Sequence, residues 1–136
     1  MIKHIFESRQ KLEMGIYLRV LSLVYLYGAV VHFANLLGFG ELSWREMPLS
    51  WKLGDIFYGV LDPVTAVGLW LKTTWGMAGF LLAATSQIIL YLGFPAWFAF
   101  TPEQQQTLWS LVIFHLISLG IFFSLVIWQK SPETIE

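Results

Sequence analysis

The stretch Ile16–Gly38, IYLRVLSLVYLYGAVVHFANLLG, holds a single fixed charge, Arg19, in an otherwise apolar run. As a helix it is long enough to cross a hydrocarbon layer of ~30 Å, which takes about 20 residues at 1.5 Å each. Three further runs repeat the pattern: Leu53–Leu71, Thr74–Phe94 and Thr107–Trp128. Backbone groups in lipid must pair within their own segment, so runs of this kind predict helices. The fold class predicted is all-α: an integral membrane, up-down four-helix bundle over residues 16–130.

Composition points the same way. The 136-residue chain is 57% hydrophobic and only 12% charged, and its mean hydropathy is +0.65. A water-soluble domain carries roughly a quarter charged residues. The net charge of -1 gives no basic face for a polyanion, so no nucleic acid partner is expected. With no cysteine, disulfides, thiolate metal sites and cysteine nucleophiles are excluded. No nucleotide-binding, zinc-protease or serine-hydrolase motif occurs, and the balance leans against an enzyme.

Residues 1–15 mix charges rather than forming a short basic leader, and the apolar run after them is too long for a signal peptide. They predict a cytoplasmic interfacial segment, with Ile2, Ile5, Phe6 and Leu12 on its apolar side. Residues 131–136 read as a disordered tail. Four spans put Lys3, Arg9, Lys11, Lys72 and Lys130 on one side and leave Arg45 and Lys52 on the other. The positive-inside rule then places both termini in the cytoplasm of a bacterium, with the bundle in the inner membrane. Arg19 is expected to snorkel to that inner rim. The connection Phe39–Lys52 is expected along the outer surface, and Phe94–Gln106 as a segment dipping into the interface before a helix start at Thr101-Pro102-Glu103.

Polar groups inside the spans are the candidates for chemistry, because lipid offers them no partner. The first span sets Tyr25, Gly28, His32 and Asn35 on one face, the second Asp55, Tyr58, Asp62 and Thr65. The third supplies Ser86 and Gln87, the fourth His115 and Ser118. Counting inward from the outer ends puts His32, Asp62, Gln87 and His115 at roughly 9–14 Å depth, in one layer. The candidate polar or ligand layer is therefore His32, Asn35, Tyr58, Asp62, Gln87, His115 and Ser118. Asp62 near the bilayer centre needs a proton, a partner or water, and His32 or His115 can pair with it as in a proton relay. Pro63 follows directly, frees the carbonyl of Gly59, and predicts a kink in the second span. Asp55 reads as an exposed acid at the outer rim, and His4 as a tail residue without a role. The pairs Gly79-xxx-Ala83 and Gly120-xxx-Ser124 predict close helix contacts.

Several roles suit such a layer. It can be hydrogen-bonding glue between helices, or a site for a quinone, lipid or other small amphiphile. A haem b ligated by His32 and His115 is the metal alternative, and an oligomeric transporter or channel protomer is a third. No cofactor is expected on the leading reading. The partners expected are the lipid bilayer and either a larger membrane complex or a second copy of the chain.

Over Leu18–Pro95 the chain resembles the DoxX-like group of small bacterial four-helix membrane proteins. The residues that carry the likeness are LRVLSLVYLYGAVVHF in the first span and LDPVTAVGLWLKTTWGMAGFLLAA across the next two. It is closer to a short bacterial inner-membrane family of unknown function. The matching elements are Met47-Pro48-Leu49-Ser50-Trp51, Asp62 to Leu71, and Gly93-Phe94-Pro95. The resemblance implies the four-helix fold. Some DoxX-like proteins are membrane subunits of quinone-linked oxidoreductases and others are uncharacterised, so it implies little about activity; the leading reading, a non-catalytic accessory subunit or small-amphiphile binding bundle, comes from the polar layer. No catalytic residue is implied.

Overall fold

Residues 1–129 are described by the computed structural model; Lys130 and the tail at 131–136 lie outside the described residues. The elements are α1 (Ile2–Glu7), a 3-10 turn at Ser8–Gln10, α2 (Leu12–Leu36), α3 (Leu49–Trp70), α4 (Thr74–Gly93), α5 (Pro95–Phe98) and α6 (Pro102–Trp128). Among the described residues there is no strand. The helices α2, α4 and α6 are long and apolar enough to cross a membrane. The helix α3 has comparable length but carries Lys52, Asp55 and Asp62. Composition therefore supports three spans where the sequence reading expected four.

Both ends of the long helices follow from local chemistry. Thr101 accepts the Gln104 N–H at 3.2 Å while the Gln104 side chain accepts the Thr101 N–H at 3.2 Å. This reciprocal capping box starts α6 five residues before Thr107. Pro48 precedes α3, so Leu49–Lys52 belong to the helix and not to the outer connection. Between α3 and α4 the chain turns through Lys72 at φ 54, and Thr73 caps α4 by accepting the Gly76 N–H at 3.0 Å. So tight a turn makes α3 and α4 antiparallel neighbours. Pro63 sits inside α3, which continues through it as one helix.

The packing order is α2 on α3, α3 on α4 and α4 on α6, with α2 and α6 meeting only loosely. Met14, Leu18, Leu69, Met77, Phe80 and Phe122 form the fully buried centre. Ile5 and Phe6 pack against this core, while Ile2 and Leu12 stay exposed. The outward faces are apolar: Tyr27, Val60, Ile89 and Ile117 are all more than half exposed. Asp62, Gln87, His115 and Ser118 are buried instead. Polar inside and apolar outside is the arrangement a lipid solvent favours. It identifies a membrane protein.

Small residues set the closest approach. A Cβ at Gly76 would overlap the backbone of Gly68, and one at Gly68 would meet the Cα of Gly76. A Cβ at Gly79 would collide with the Thr65 hydroxyl, so the Gly79-xxx-Ala83 face does pack closely, against α3. The Gly120-xxx-Ser124 pair does not: both residues are exposed and nothing lies within 4 Å of a Cβ at Gly120. The segment after α4 is fastened rather than free. Ser50 donates to the Trp97 carbonyl at 2.5 Å and the Trp51 indole N–H donates to the Phe98 carbonyl at 3.0 Å. Gln104 also reaches across to Glu41 at 3.0 Å, tying α6 to the first connection. In that connection Ser43 donates to Glu46 from its hydroxyl and its backbone N–H, which holds the Glu46 carboxyl below its usual range. Arg19 lies over the Trp70 ring, 5.4 Å from its centroid.

Candidate functional site

Two helix faces build the first half of the site. On α2, His32 and Asn35 are three residues apart and so point the same way. On α3, Asp55 and Asp62 are seven apart, two turns along one face. The His32 ring stands between the two acids: Nδ1 lies 2.7 Å from Asp55 Oδ1 and Nε2 lies 3.4 Å from Asp62 Oδ2. Asn35 Nδ2 donates to the same Asp55 oxygen at 3.2 Å. Tyr58, between the acids, stacks on the His32 ring with centroids 5.9 Å apart, and its hydroxyl pairs with Ser86 of α4 at 2.8 Å. Gly28 makes the approach of Asp62 possible, because a Cβ there would stand 2.7 Å from Asp62 Oδ2.

The second half joins α4 to α6. His115 Nε2 and Gln87 Oε1 lie 2.5 Å apart, and both residues are buried. Since the Gln87 oxygen only accepts, His115 donates from Nε2 and its Nδ1 keeps a lone pair. Ser118 is turned away. It donates to the carbonyl of His115 on its own helix at 2.9 Å, and its own carbonyl accepts from Tyr17 at 2.6 Å.

Between these halves lies a cavity of about 400 Å³, lined among others by Tyr25, Gly28, His32, Asp62, Gln87 and His115. Three of its lining residues each carry a buried polar atom with no hydrogen-bond partner: the Tyr25 hydroxyl, Asp62 Oδ1 and His115 Nδ1. Burying such atoms unpaired costs about 1–3 kcal/mol each, and three on one cavity mark a place with room for a partner. A second cavity of about 270 Å³, the outer one in the fold, lies toward the N-terminal end of α3, with Glu41, Trp51, Asp55 and Gln104 in its lining. Val31, His32, Tyr91, Thr107 and Leu111 line both cavities.

The layer read from the sequence thus divides. His32, Asn35 and Asp62 form one network, Gln87 and His115 a pair, and all but Asn35 line the interior cavity. Tyr58 supports the His32 ring and lines the outer cavity, and Ser118 is tied to backbone. Asp55 is the correction. It is buried, 7% exposed, and is the nearest partner of His32 rather than a rim acid. Asp62 finds one of the partners the sequence offered it, since its Oδ2 turns to His32, while its Oδ1 stays buried and unpaired. For iron, His32 presents no free nitrogen, both being held by carboxylates. Among the described residues no group of three or more His, Cys, Asp or Glu side chains is arranged to hold a metal ion.

Neither a curated protein nor a solved structure matches the chain. A family model does match, over residues 12–131, which takes in every long helix and every residue of the site. The chain belongs to that family, a family of unknown function (DUF6163).

Proposed function

We propose that the protein is a multi-pass protein of a bacterial inner membrane, with α3 as its fourth span and both termini cytoplasmic, and that its interior cavity binds a small amphiphile without catalysis. The ligand is lipid-like or quinone-like in having an apolar body and a polar head. The observation that carries the proposal is the set of three unpartnered polar atoms on residues that line one largely apolar cavity, Tyr25 Oη, Asp62 Oδ1 and His115 Nδ1. A polar head can engage one or more of them while Val24, Leu111 and Phe114 accept the body. The cavity lies where α2 and α6 pair loosely, which favours entry from the lipid side. The companion proposal is an accessory subunit of a larger membrane complex, the role of some of the DoxX-like proteins that the sequence resembles. Haem ligation by His32 and His115 is disfavoured, because His32 would first have to leave two carboxylates.

The test is mass spectrometry of small amphiphiles retained by protein purified in mild detergent. Wild type is expected to retain a species that Val24→Trp, which fills the interior cavity alone, loses by about tenfold, the equivalent of 1.4 kcal/mol. Folded wild type that repeatedly carries no amphiphile above the Val24→Trp level would remove the binding proposal.

A further inference from the structure

From the chemistry of the atoms left open we infer that the interior cavity selects an amphiphile with a protonated amine head, the ammonium seated between Asp62 and His115. This rests on the cavity being an amphiphile site and names the class of head it takes.

Hydrogen-bond capacity comes first. Asp62 Oδ1 has no partner and, on a carboxylate, accepts only. His115 gives its Nε2 proton to Gln87, so the open Nδ1 also accepts. The Tyr25 hydroxyl works either way. The free groups are therefore short of donors. An ammonium brings three N–H donors and no acceptor. A quinone or ester carbonyl brings only acceptors and can engage Tyr25 alone.

Charge comes second. One imidazole carries at most one positive charge, so His32 cannot neutralise Asp55 and Asp62 together as carboxylates, and the pair of acids leaves one negative charge over. Among the described residues neither cavity has a Lys or Arg in its lining, and the outer one adds Glu41. Buried excess charge is costly unless paired. A cationic head supplies the missing partner through a charge-assisted hydrogen bond to Asp62, whereas a carboxylate or phosphate head would add repulsion.

Calorimetric titration of the full chain in phosphatidylcholine nanodiscs tests this, with dodecylammonium, dodecanol and laurate as probes of equal chain length and empty discs subtracted. Dodecylammonium is expected to bind about tenfold or more tighter than dodecanol, with laurate weakest. In Asp62→Asn the ammonium should fall to the level of the alcohol. Laurate binding as well as the ammonium, or an ammonium preference that survives Asp62→Asn, would overturn the inference and leave the amphiphile site standing. Failure of all three probes to bind would remove the site itself. Should Asp62→Asn not fold, the order of the three heads on wild type decides, with Val24→Trp, at a residue that lines the interior cavity and not the outer one, showing that the binding measured belongs to that cavity.

Discussion

At the scale of single residues the decisive group is Asp55. A carboxylate at an outer rim would be solvated and its loss nearly silent. In the structure it accepts from Asn35 at 3.2 Å and meets His32 Nδ1 at 2.7 Å. Removing it leaves two half-buried polar groups, His32 and Asn35, without their partner, at about 1–3 kcal/mol. Asp55→Ala is therefore expected to lower the unfolding midpoint in detergent clearly, followed by tryptophan fluorescence. Asp55→Asn should cost less, because its amide oxygen can still accept from both neighbours. A midpoint unchanged in Asp55→Ala would return the residue to the rim. The sequence set Asp55 and Asp62 on one helix face, since a spacing of seven is two turns. It misplaced Asp55 in depth because the apolar run begins at Leu53. The helix begins at Leu49, which puts Asp55 about 9 Å along it. Depth depends on where a helix starts, and amphipathic first turns such as Leu49–Lys52 blur that point in a hydropathy pattern.

At the scale of elements the glycines rank the helix contacts. A Cβ at Gly76 would overlap the Gly68 backbone, which no rotamer change can relieve. A Cβ at Gly79 would meet a side-chain hydroxyl, Thr65, which can turn. At Gly120 a Cβ meets nothing. Overpacking costs about 1–3 kcal/mol where neighbours can shift, and an exposed helical Gly→Ala gains about 0.5–1 kcal/mol. Unfolding in mixed micelles should therefore rank Gly76→Ala as the most damaging, Gly79→Ala as intermediate and Gly120→Ala as neutral or stabilising. A large loss in Gly120→Ala would mean that α6 has a partner there. The helices themselves were legible because each is a long apolar run with recognisable stops and caps. Their contact faces were legible only in part. Gly79-xxx-Ala83 and Gly120-xxx-Ser124 have the same spacing, but only the first meets a neighbour. Spacing reports which residues share a face, whereas the neighbour that face meets is set by the other helices.

At the scale of the whole molecule the open question of architecture is whether α3 crosses the membrane with the other three long helices. Its composition is the most polar of the four, yet its two acids face inward, held by His32 and Asn35. Lys52 lies at the outer end over the Trp44 ring, 4.9 Å from its centroid. The face turned outward carries Ile56, Phe57, Val60, Val64 and Val67. The charges that lower its hydropathy are thus not charges that lipid would meet, and the tight turn at Lys72 and Thr73 lays α3 along α4. A chain without cysteine allows single reporters to decide. With four spans, Lys3→Cys, Thr74→Cys and Glu136→Cys should react with an impermeant maleimide only after the inner face is opened. Phe39→Cys and Gln105→Cys should react in intact cells. If α3 lay flat, three spans would remain, and Thr74→Cys, Gln105→Cys and Glu136→Cys would each exchange sides while Lys3→Cys and Phe39→Cys kept theirs. The first pattern makes the Asp55–His32–Asp62 cluster a buried intramembrane site. The second would place α3 at the interface, bring those acids to water, and remove the buried negative charge on which recognition of an ammonium head depends.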